Sequence, residues 1–179
     1  MPITPYHFGP SGFLGLALRK WLDIPVFVLA NVVVDIEVLF NHHWPMHRYF
    51  HTLLIGAVVG AVWGIAAYPL RHPLGKIMQM LRIPYQTSLW KMAVSGALGV
   101  WLHVVIDAIY HWDVQIFWPS KAKPLYGLIS QGWVKAICVA FFFAALILYT
   151  IVAASYAKRK SEHQEKTKLI RHRRINLIP

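Results

Sequence analysis

The chain has 179 residues, of which 57% are apolar and only 14% charged, with a formal net charge of +11. An ordinary soluble domain carries about 25% charged residues, so this balance points to an integral membrane protein, with one domain as the default. The basic residues lie between apolar runs and in a terminal tail, which is a pattern of membrane topology; nucleic acid is therefore not expected as a partner. A single cysteine, Cys138, excludes an internal disulfide.

Residues 10–18 are apolar but too short to span, which suits a half-helix that is re-entrant or lies in the interface. Arg19, Lys20 and Asp23 break this stretch, and no cleavable signal peptide is expected. A helix needs about 20 apolar residues to cross hydrocarbon. Residues 24–40 form a first span that contains Asn31, Asp35 and Glu37. Residues 52–70 form a second, rich in Gly and Ala, and residues 92–110 a third that contains His103 and Asp107. Residues 134–157 form a fourth, apolar apart from Lys135. The expected fold class is all-α: a polytopic transmembrane helical bundle of about four main spans plus the short N-terminal helix. Residues 1–157 form the membrane-embedded domain and 158–179 a basic tail. Gly56, Gly60 and Gly64, then Ser95 and Gly99, recur at a spacing that permits close helix packing, although such residues are also common in any membrane helix.

Arg19, Lys20, Arg71, Lys76, Arg82, Lys91 and the tail all fall on one side of a four-span arrangement. The other side holds Arg48, Lys121, Lys123 and Lys135. The positive-inside rule then puts the tail in the cytoplasm. It also gathers the ends of three spans, bearing Asp35 and Glu37, His47 and His51, and His103 and Asp107, near the opposite face.

Those six residues are costly in such surroundings, at about 2.5–3.5 kcal/mol each for a charged group at a bilayer centre. On a helix, residues four apart lie one turn above each other, so His47 with His51, and His103 with Asp107, can each aim two ligands at one point. Imidazole plus carboxylate is a usual set for divalent metals. The expected cofactor is a divalent metal, zinc first with manganese or iron as alternatives, as one or two ions. Asp35 and Glu37 are two apart and diverge on a regular helix, so one ligates while the other serves as base or support. A lone histidine in an apolar span is ordinarily packed or hydrogen-bonded; it is the set that argues for a metal. Asp35 and Glu37 also have a simpler use, pairing with Arg48 or marking a cation pathway. His111, one turn beyond Asp107, is a possible further ligand. His42 and His43, beside Pro45, read as surface residues, and His72, His163 and His172 as solvated. The lysines of Trp118-Pro119-Ser120-Lys121-Ala122-Lys123 can hold a lipid phosphate, or the stretch is an interfacial aromatic belt.

In order, these motifs resemble the LexA-regulated, inner-membrane-bound metal-dependent hydrolase family of bacteria and archaea. The matching residues are an early His7, Asp35-x-Glu37, His47-Arg48 followed by His51-Thr52, His103 with Asp107, and Trp118-Pro119-Ser120. Val34 stands where the family usually has proline, Glu37 where it has aspartate, and the step from His47 to His51 is one residue shorter. The resemblance covers roughly the first 125 residues. It implies a prokaryotic cytoplasmic-membrane location and adds His7 to the metal ligands.

The expected function is metal-assisted hydrolysis of a phospholipid or other phosphoester near the outer membrane face. Glu37 or Asp35 would be the general base, and Arg48 would stabilise oxyanion charge. The rival is a non-enzymatic metal protein, either an ion transporter or a scaffold with a structural ion. A haem-bearing bundle explains the histidines but not the carboxylates.

Overall fold

The computed structural model describes residues 5–40, 47 and 49–175, and among them there is no strand. Six helices follow in order: α1 (Phe8–Ala17), α2 (Ile24–Phe40), α3 (Leu53–Ala67), α4 (Arg71–Met80), α5 (Leu89–Tyr110) and α6 (Gln131–Ile175). Among the described residues three stretches are long and apolar enough to cross a membrane: Leu53–Met80, Leu89–Tyr110 and Gln131–Thr167. The first joins α3 to α4 through a 3-10 turn at Tyr68–Leu70. The sequence predicts four main spans; α2, with 17 residues, is the one not in this set. The domain boundary expected at 157/158 falls inside α6, which continues through it unbroken.

Local chemistry fixes the helix starts. Asp23 accepts the Val26 N–H at 3.2 Å and so caps α2, whose Pro25 sits in the first turn, where a missing N–H costs nothing. Thr52 caps α3 by accepting the Ile55 N–H, and Ser88 caps α5 by accepting the Lys91 N–H.

Backbone-to-backbone approach sets the packing. Gly60 of α3 and Gly96 of α5 face each other so closely that a Cβ on either would strike the other's carbonyl oxygen. Near the start of α1, a Cβ on Gly9 would strike the Cys138 carbonyl of α6. In lipid such small-residue contacts replace the hydrophobic drive that water supplies. α1 is therefore packed inside the bundle, with Gly9, Pro10, Ser11, Gly15 and Leu16 buried. Across α2, α5 and the segment after it, Ala30, Val34, Val100, Val104, Ala108, Val114 and Ile116 form one buried cluster. Large apolar side chains of α6 stay exposed, among them Phe143 at 60% and Ile147 at 63%. A face of that kind needs lipid or a partner to cover it.

Candidate metal centre

Four separate parts of the chain bring polar groups to one buried place. α1 starts at His7. Ser11 donates to the His7 carbonyl at 2.7 Å and accepts from Asn31 Nδ2 at 3.0 Å, which ties the first turn of α1 to α2. α2 brings Asp35 and Glu37, and α5 brings His103 and Asp107 one turn apart. His47 and His51 do not open a helix, as their spacing predicts. They precede α3, His47 in a bend and His51 in the turn before the Thr52 cap. Their rings nevertheless meet edge to face, with centroids 4.6 Å apart.

Asp107 is the hub, at 3% exposure. Its Oδ2 lies 3.0 Å from His103 Nε2, 3.7 Å from His51 Nε2 and 3.8 Å from His47 Nε2. Its Oδ1 lies 3.1 Å from His7 Nε2 and 3.9 Å from His111 Nε2. Asp35 Oδ1 faces the same nitrogens from α2, at 3.2 Å from His103 Nε2 and 3.6 Å from His51 Nε2. Among the described residues two groupings have the proximity a metal ion requires: Asp35, His51, His103 and Asp107; and His47, Asp107 and His111.

The spacings discriminate between two uses of these atoms. At 3.0–3.2 Å a nitrogen and an oxygen can share a proton, whereas the contacts of 3.6–3.9 Å are too long for a hydrogen bond. Two ligands of one tetrahedral ion, with bonds of about 2.0–2.1 Å, stand roughly 3.3–3.5 Å apart, between these two sets of spacings. His51 Nε2 is buried, has no hydrogen-bond partner, and lies 3.6 and 3.7 Å from one oxygen each of Asp35 and Asp107. A buried polar atom normally finds a partner, and a cation between these three groups would supply one. The cluster thus fits a divalent ion.

Two carboxylates act from behind the imidazoles. Glu37, one of the two expected base residues, accepts from the backbone N–H groups of Tyr49 and Phe50 at 2.8 and 3.1 Å. It also lies 3.1 Å from His51 Nδ1, so it fixes that ring with Nε2 turned toward Asp35 and Asp107. Asp113, which the sequence did not single out, does the same for His47: both its oxygens lie 3.0 Å from Nδ1, and Oδ2 accepts the His47 backbone N–H at 3.1 Å. Such carboxylate–histidine pairs set the tautomer and orientation of metal-binding rings. Burial alone would raise the Asp113 carboxyl, but the hydrogen bonds from His47 outweigh it and hold the group at about 2. Burial pushes the His111 imidazole down to about 4.

The other expected residues are placed differently. Arg48, His42 and His43 lie outside the described residues. His72 and His163 are exposed. Lys123 donates to the Trp112 carbonyl and stands 5.1 Å from the Trp112 ring, while Lys121 is exposed. Trp118 packs edge to face on Tyr49, with centroids 5.5 Å apart.

Apolar helices of membrane length that converge on a buried histidine–carboxylate cluster define a polytopic membrane protein with a candidate metal site. The chain belongs to the YdjM inner membrane protein family, whose model matches residues 12–168; this is the family its ordered motifs resemble. His7 lies just before the matched stretch. No curated protein and no solved structure matches the chain.

Proposed function

We propose that the protein is a membrane-embedded, metal-dependent hydrolase acting on a lipidic phosphoester, with a divalent ion, zinc first, held by Asp35, His51, His103 and Asp107. The observation that carries this reading is His51 Nε2, buried without a hydrogen-bond partner between two carboxylates and aimed there by Glu37. The proposed topology counts α2 as a fourth span and puts the basic tail, residues 158–179, in the cytoplasm. His7 and Asp35 lie at the far ends of an α1–α2 hairpin, each about 15 Å from the turn that carries Arg19 and Lys20. The site then sits at depth in the bilayer, reached by α1 as a re-entrant half-helix. A site at that depth favours a substrate carried by the lipid phase.

A divalent ion bound there supplies Lewis acidity and makes a water acidic enough to react near pH 7. The protein's own groups do the rest. Glu37 is committed to His51 and two backbone amides, so we assign it the orientation of that ring; Asp35 would ligate through Oδ1, and we assign the role of proton acceptor to its second oxygen. Arg48, next to His47 in the chain, is the proposed cation for oxyanion charge. His103 Nε2 lies 3.2 and 3.0 Å from oxygens of Asp35 and Asp107, which puts the three donors around one point for the ion. The apolar cluster that includes Val34, Val104 and Ala108 limits water around them.

The test is hydrolysis of defined phospholipids and of a generic phosphodiester by detergent-purified, metal-loaded protein, beside His51→Ala. Turnover lost in the variant is the expected result. Stoichiometric metal with no turnover on any of these substrates would defeat the enzymatic reading. It would favour a structural ion, which one feature already supports: this grouping offers four protein donors, the closed set of structural zinc sites.

A further inference from the structure

We propose that His47, His111 and Asp107 hold a second divalent cation, sharing the Asp107 carboxylate with the first, and that this second ion is the one that meets substrate. The inference rests on the first ion of the proposed function and deepens it.

Donor count is the first argument. Five imidazoles surround Asp107, namely those of His7, His47, His51, His103 and His111. One tetrahedral ion is complete with Asp35, His51, His103 and Asp107. His7, His47 and His111 are left over: His7 Nε2 lies 3.1 Å from Asp107 Oδ1, close enough to share a proton with it, whereas His47 and His111 direct Nε2 at Asp107 from 3.8 and 3.9 Å, too far for a hydrogen bond and suited to co-ligands. Their rings approach to 4.4 Å between centroids, and the donor atoms of His47, His111 and Asp107 all lie within 4.8 Å of one another.

The second argument is the support behind the rings. His51 is backed by Glu37 and His47 by Asp113, so each grouping has its own orienting carboxylate. Asp113 is 3% exposed, and its oxygens face Nδ1 of His47, leaving Nε2 for an ion.

The third argument separates the roles of the two ions. The first grouping is closed by four protein donors, whereas the second supplies three, the number that leaves a position open in catalytic zinc sites. The second grouping also borders a small cavity between α5, α6 and the segment before α1, where Tyr6, His7, Lys135 and Cys138 face Asp107 and His111. The lining is mainly apolar, and at about 20 Å³ the space has the size of one water molecule, the ligand that completes a three-donor ion. Two ions that share one carboxylate, about 3.5–4 Å apart, are the usual arrangement for clamping a phosphoester.

The experiment is metal loading of the full-length protein in detergent with zinc, read by elemental mass spectrometry, and with manganese, read by electron paramagnetic resonance. Two ions per chain are expected, with an exchange-coupled manganese pair. His111→Ala should retain one ion and lose the coupling, while its helical circular dichroism stays as in the parent. One uncoupled ion in both proteins would overturn the second site and leave the first standing. Two coupled ions in both would overturn the assignment of His111. No ion in the parent after loading would sink the proposed function itself. If His111→Ala fails to fold, the parent's manganese spectrum decides, because an isolated-ion signal at saturation excludes the shared carboxylate.

Discussion

The bundle holds two buried carboxylate clusters, and they are built to opposite rules. At the start of α2, Asp23 is fully buried, and its oxygens accept from Tyr85 at 2.8 Å, Thr87 at 2.5 Å and the Val26 N–H at 3.2 Å. Its own N–H donates to Ser95 at 2.7 Å. Neutral donors surround one acid, and its hydrogen-bonding capacity is used. At the other cluster, Asp35 and Asp107 face imidazole nitrogens, several of them at 3.6–3.9 Å, and His51 Nε2 has no hydrogen-bond partner. Folding alone explains the first cluster, since it caps a helix and staples α2 to α5 and to the segment ahead of it. It does not explain the second, where groups are held at a distance that leaves room for something else. Burial by itself is therefore a poor sign of function; the spacing of the polar atoms separates a staple from a site.

The strongest test of this contrast is Asp107→Ala. The hub carboxylate touches both groupings, so all bound metal should be lost, as read by elemental analysis after loading. The expected outcome is no metal above background. Retention of even one ion per chain would mean that Asp107 is a packed hydrogen-bond acceptor like Asp23.

Next in size is Asp23→Ala, which should do the reverse. It removes a helix cap worth about 1 kcal/mol and leaves the Tyr85 and Thr87 hydroxyls short of a buried acceptor, at about 1–3 kcal/mol. We expect a loss of about 3 kcal/mol in all, seen as a lower midpoint of thermal unfolding in detergent. Metal affinity should be unchanged. A variant that keeps its stability but loses metal would erase the distinction between the clusters.

Glu37→Gln is the intermediate case, since Glu37 has one foot in each role. Its bonds to the Tyr49 and Phe50 N–H groups are structural, while that to His51 Nδ1 orients a ligand. The amide keeps the shape but weakens the charge-assisted bond, and metal affinity should fall 10–100-fold, the usual cost of removing such a partner. Competition with a chelator of known affinity would measure it. An unchanged affinity would return Glu37 to consideration as the catalytic base.

How much of this was legible in the sequence depends on where each residue sits. His103 and Asp107 were readable because α5 is regular, and residues four apart on it share a face. Asp35 was readable as an acid in an apolar run, and the divergence of Glu37 followed from the helical repeat. His47 and His51 were named for a helix that the structure does not form there. They converge because Glu37 and Asp113 hold their Nδ1 atoms from two directions, a tertiary effect that no local period encodes. Asp113 was missed because it follows α5 in an irregular segment. One signal was available: with only seven acidic residues in the chain, each outside the tail merited a role. The apolar helices were recognisable from hydropathy, whereas the polar α4 and the continuation of α6 through the basic tail were not; α2 was not separable from a full span by composition, since 17 residues lie at the margin of membrane length.

The smallest expected effect concerns pH, and it sharpens the contrast from the structural side. Burial, followed by its hydrogen bond to Asp23, raises the Tyr85 phenol above its ordinary value. The folded protein therefore holds that proton more tightly than the unfolded chain. The contribution to stability is fully present below the unfolded phenol's pKa of about 10. As pH rises past that value the unfolded chain sheds its proton first, and the contribution is lost progressively toward the folded value. Tyr85 is part-exposed, so solvent screening limits the effect, and Tyr85→Phe should flatten the alkaline limb of the unfolding midpoint only modestly. If the limb is as steep in Tyr85→Phe as in the parent, some other group carries it, and the hydrogen bond to Asp23 does not tie Tyr85 to the staple in the way its 2.8 Å length implies.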